Sequence, residues 1–163
     1  MVWMFRVCLG LLIAAYAGWL VWPLIQPLTA GGSIAGVASV LTTEAGRPGG
    51  ALPSLWLGAA VLYAMAAGLT AGGIGAAPGA YFLAFAAEVI QRLLLQAAPP
   101  SALVDTPARI AAALAPLNLA VDPGPLVLTV LVEIGLLVLM TGVWRGQKGQ
   151  ALTRHWTRPP VSA

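Results

Sequence analysis

The run Tyr81-Phe82-Leu83-Ala84-Phe85-Ala86-Ala87-Glu88-Val89-Ile90-Gln91-Arg92-Leu93-Leu94-Leu95 decides how this chain is read. It is apolar over most of its length, yet it sets a carboxylate and a guanidinium four residues apart. At mid-membrane depth each such charge costs several kcal/mol unless it finds a partner, so these residues face a protein interior or a wet cavity. Glutamate four residues ahead of arginine is also the favourable order for an ion pair within one helix. The stretch predicts a transmembrane helix with a polar spot turned inward.

Working outward, the chain has 163 residues, 60% of them hydrophobic and only 8% charged, with a mean hydropathy of +0.90. A soluble domain of this size cannot hide so much apolar surface, so the solvent for most of the chain is lipid. The apolar segments are continuous, without the alternation of a barrel wall, which selects helices. Four stretches approach the roughly 20 apolar residues that cross a bilayer: about 5–25, 55–74, 79–96 and 126–144. The expected fold is therefore an all-α integral membrane bundle of four transmembrane helices, forming one domain over residues 1–145.

The connections differ in kind. Within the connection 26–54, residues 29–50 are rich in Gly, Ser and Thr and read as a mobile or partner-ordered loop. Residues 97–125 contain an apolar periodicity from Ala102 to Leu119 that predicts a short interfacial helix before the last span. Residues 72–79 allow only a tight hairpin. Basic residues after the last span, in the tail 146–163 and at Arg145, place both termini in the cytoplasm of a bacterium with the protein in its inner membrane, and make both longer loops periplasmic. Trp3, Trp19, Trp22, Trp56 and Trp144 fall near span ends, where interfacial anchors belong.

Small residues recur every four positions as Gly10, Ala14 and Gly18 in the first span and as Ala60, Ala64, Gly68 and Gly72 in the second. On one helix face they make a groove for close helix approach, inside a homo-oligomer or a larger complex. In the third span the same spacing turns polar, with Glu88, Arg92 and the adjacent Gln91, and the fourth span adds Glu133. These four are expected to form one buried polar cluster.

Several functions are excluded or disfavoured. The single Cys8 and single His155 rule out an internal disulfide and offer no metal-ligand cluster. No phosphate-binding glycine loop or serine elbow is present, so neither a cofactor nor catalysis by this chain alone is expected. The positive charges flank the membrane, which fits lipid headgroups and not nucleic acid.

From Glu88 onward the order is Glu88-x-x-Gln91, a proline turn at Pro99-Pro100-Ser101, and Asp105 at the head of a new apolar helix. This resembles the VanZ-like family of small bacterial membrane proteins over residues 80–117. The resemblance implies an envelope role at lipid or glycan headgroups, with Glu88, Gln91 and Asp105 as the matching positions. Arg109 stands where the family pattern has Asn, and its Asp-x-x-x-His at the second span has no counterpart here. The competing reading is an accessory subunit of a respiratory, photosynthetic or polysaccharide-synthesis complex. Ion conduction through Glu88 and Glu133 ranks third.

Overall fold

The computed structural model describes residues 2–45, 51–95, 106–117 and 123–156. All regular structure among them is helical: α1 (Val2–Thr29), α2 (Ile34–Ala45), α3 (Ala51–Gly72), α4 (Ala77–Leu95), α5 (Thr106–Leu114) with a 3-10 turn over Ala115–Leu117, and α6 (Pro123–Trp156). α1, α3, α4 and α6 are long and apolar enough to cross a membrane, so the protein is a multi-pass membrane protein set in lipid.

The helix ends follow from local chemistry. α1 and α3 each stop at a glycine in the left-handed region, Gly31 (φ 87°) and Gly73 (φ 66°), where a side chain is strained. At the second, Ile74 N–H donates to Leu69 O (2.8 Å) and Gly73 N–H to Thr70 O (3.0 Å). This Schellman closure satisfies the last carbonyls of α3 and starts the hairpin into α4.

Residues 26–54 differ from the expected mobile loop, because they contain the twelve-residue α2. Ser33 caps it by accepting from Gly36 N–H (3.1 Å), and the hydroxyls of Ser39, Thr42 and Thr43 donate back to carbonyls three or four residues earlier. The Ser and Thr residues read as loop formers serve instead as a cap and as internally satisfied polar groups. Of the helix expected across 102–119, α5 and its 3-10 turn cover Thr106–Leu117 and the rest lies outside the described residues, and α6 runs past the last span as far as Trp156.

α3 is the hub. It packs against α1 on one side and α4 on the other, and α4 carries α6 on its far side. Trp56, Tyr63 and Tyr81 are wholly buried between these helices. Trp56 is thus a core residue and not the interfacial anchor its position suggested, while Trp3 and Trp22 are exposed.

The small-residue stripes are only partly used. Gly10 is buried, and a Cβ there meets Ala67 O at 2.9 Å, so α1 and α3 touch through backbone; Ala60 is buried as well. Ala14, Gly18, Ala64, Gly68 and Gly72 are exposed, with nothing from another helix against Gly18, Gly68 or Gly72. The cause is helical pitch: a strict four-residue repeat drifts by about 40° per step, so it leaves the contact face within three steps.

Candidate functional site

The polar spot assembles around Glu88. α4 turns Tyr81, Ala84, Glu88, Gln91 and Arg92 inward, and all five are buried. Arg92 Nη2 donates to Glu88 Oε1 at 2.5 Å, closing the expected pair between consecutive turns. Two tyrosines from other helices complete the carboxylate's shell. Tyr16 OH of α1 donates to Oε1 (2.6 Å) and Tyr63 OH of α3 donates to Oε2 (2.9 Å). Arg92 Nη1 reaches Gly124 O at the start of α6 (3.3 Å), and Tyr81 OH donates to Leu131 O (2.7 Å). One carboxylate therefore gathers donors from α1, α3 and α4, and α4 holds α6 through Arg92 and Tyr81. The rings also pack edge to face, Tyr16 on Tyr63 at 5.3 Å and Tyr63 on Tyr81 at 5.4 Å between centroids.

The grouping of Glu88, Gln91 and Arg92 needs one correction: Glu133 does not join it. α6 turns Leu131, Ile134, Gly135, Val138 and Thr141 inward, whereas Glu133 is exposed with Thr129, Val130, Leu136, Leu137 and Met140. Gly135 explains the choice of face, since its bare Cα lies against Tyr81 and Phe82, whose ring atoms would stand 2.9–3.2 Å from a Cβ. The ring of Tyr81 needs that face, which sends Glu133 outward. Asp105 lies outside the described residues.

Sequence reasoning missed Tyr16, Tyr63 and Arg109. The signal for the tyrosines was present, because a hydroxyl deep in a span needs a partner. Arg109 answers a different need. Pro23 inside α1 has no N–H, so the carbonyl four residues earlier, Trp19 O, loses its helical donor. Arg109 Nη2 of α5 donates to that oxygen at 2.8 Å and Nη1 to Leu20 O at 3.3 Å, with the guanidinium 4.5 Å from the centre of a Trp19 ring. Burial lowers the Arg109 pKa from its ordinary value, yet the guanidinium keeps its charge. No carboxylate among the described residues pairs with it.

α1 and α6 barely touch, and the space between them, roofed by α5, is a groove of about 420 Å³. It is lined by Leu12, Tyr16 and Trp19 of α1, Ile110 and Leu114 of α5, and Val127 and Leu131 of α6. The walls are almost purely hydrocarbon. Tyr16, hydrogen-bonded to Glu88, forms part of one wall, and Trp19 carries Arg109 on its face. The volume is that of a small-molecule pocket.

Among the described residues no cluster of His, Cys, Asp or Glu has metal-binding geometry. Comparison with family models, with curated proteins and with solved structures finds no match to this chain.

Proposed function

We propose that this chain is a non-catalytic protein of the bacterial inner membrane, with both termini cytoplasmic, that holds an amphipathic lipid at its outer half. The observation that carries this is the apolar groove between α1 and α6, roofed by an α5 whose Arg109 has no carboxylate partner among the described residues. The hydrocarbon chain lies along Leu12, Ile110 and Val127, and the anionic headgroup is drawn to the Arg109 end. Glu88 supports the same reading by being closed off: three donors of this chain occupy its oxygens. It acts as the tie that keeps the groove walls in register. This is the headgroup role that the resemblance to VanZ-like proteins implies.

The test is lipid retention. Native mass spectrometry of the detergent-extracted chain should show a lipid that survives delipidation, and Ala113→Trp, which fills the groove, should reduce its occupancy at least fivefold. Retention unchanged by Ala113→Trp removes the groove from the function.

A second reading, an accessory subunit of a larger membrane assembly, is favoured by a separate observation, the outward carboxylate of Glu133.

A further inference from the structure

We propose that Glu133 is the docking point for a transmembrane helix of another protein, one that carries a lysine or arginine at mid-bilayer depth. The inference rests on the subunit reading and adds the chemistry of the partner.

Glu133 lies seven residues from the start and eleven from the end of the apolar stretch 126–144. At 1.5 Å per residue, roughly 10 Å of helix separates it from the nearer interface. A glutamate side chain, with two methylenes, does not span that distance. Of its neighbours on the helix surface, Val130, Leu136, Leu137 and Met140 are exposed and apolar, and the hydroxyl of the exposed Thr129, one turn earlier, donates to Pro125 O at 3.0 Å. Among the described residues nothing donates to it or pairs with it. An acidic group in this setting is rare in spans and finds its partner on a neighbouring helix.

A second copy of the chain does not supply that partner. Of the eight Lys and Arg residues, Arg92 is closed onto Glu88 and Gly124 O. Arg109 lies on α5, outside the spans, and holds the Trp19 and Leu20 carbonyls. Arg6 stands near the start of α1, and Arg47, Arg145, Lys148, Arg154 and Arg158 fall outside the apolar segments. Two copies meeting through this face about a twofold axis set carboxylate against carboxylate. Charge complementarity therefore points to a foreign helix with a cation at matching depth.

The full chain is reconstituted in phosphatidylcholine vesicles with synthetic polyleucine spans bearing a central Lys, Leu or Glu, and association is read by energy transfer. The lysine peptide should associate at least tenfold more tightly than the leucine peptide, and Glu133→Leu should erase the difference. Because Glu133 is exposed and makes no hydrogen bond or ion pair among the described residues, helicity and detergent stability of that variant should match the parent. In native membranes, a photocrosslinker at Leu136 should join this chain to a span containing Lys or Arg. Exchanging charges, Glu133→Lys with the partner cation changed to Glu, should restore a complex that Glu133→Lys alone loses. Equal binding of the lysine and leucine peptides, or a crosslink to a second copy, overturns the proposal. A crosslinked foreign span without a cation overturns it while leaving the subunit reading intact, and the absence of any protein crosslink overturns both.

Discussion

Two glutamates lie deep in apolar helices of this protein, Glu88 in α4 and Glu133 in α6, and the bundle surrounds one and excludes the other. Glu88 meets two tyrosines and an arginine; Glu133 meets lipid-facing leucines and valines. The same side chain at similar depth is a keystone in one helix and an unfilled valence in the other. Carrying a charge into a span is costly in either case, about 3 kcal/mol at the helix centre on insertion scales. What differs is where compensation comes from: within the chain for Glu88, outside it for Glu133.

That contrast is broken most directly at Glu88. Glu88→Ala leaves a lone buried guanidinium and two tyrosine hydroxyls without their acceptor, and should cost about 3–5 kcal/mol of bundle stability. The double variant Glu88→Ala/Arg92→Ala should lose visibly less, as measured by unfolding in mixed detergent. Equal losses would show that the pair is not coupled. Next in size, Arg109→Ala should cost about 1–3 kcal/mol by orphaning the Trp19 carbonyl, and Pro23→Ala should recover part of that loss by restoring the helical donor.

Tyr63→Phe comes third, at about 1–2 kcal/mol, for one hydrogen bond to a charged group inside a membrane bundle. The glycines follow with opposite signs. Gly10→Ala forces a Cβ against the Ala67 carbonyl and should destabilise by about 1 kcal/mol. Gly68→Ala enters open space and should stabilise by about 0.5–1 kcal/mol through helix propensity. The smallest effect belongs to Glu133→Leu, within about 0.5 kcal/mol for the isolated bundle. A large loss there would erase the distinction between the two acids.

How much of this was legible beforehand depends on the range of the interaction. The four spans, the hairpin after α3 and the Glu88–Arg92 pair are local facts of spacing and composition, and they stand in the bundle as read. The tyrosine shell joins residues 72 and 25 positions apart, and no pattern along one helix encodes which tyrosine meets which acid. Placing Glu133 with Glu88 assumed that all intramembrane charges converge. The face of α6 is set instead by Gly135, whose missing side chain admits the ring of Tyr81. Of the small-residue stripes, Gly10 and Ala60 pack within the bundle and the other positions are exposed on it, since a spacing of four marks a strip that winds around the helix.

The bond from Arg109 to the Trp19 carbonyl links residues 90 positions apart, and that separation is also a delay. At about 5–20 residues per second of synthesis, the ribosome needs roughly 5–20 s after making the first span before it delivers the donor that completes it. During that interval the Trp19 carbonyl is without the donor it has in the finished bundle. Maturation of the first span therefore waits on chain growth, and a pause in translation between these two positions should lengthen the time the newborn protein spends vulnerable to membrane proteases.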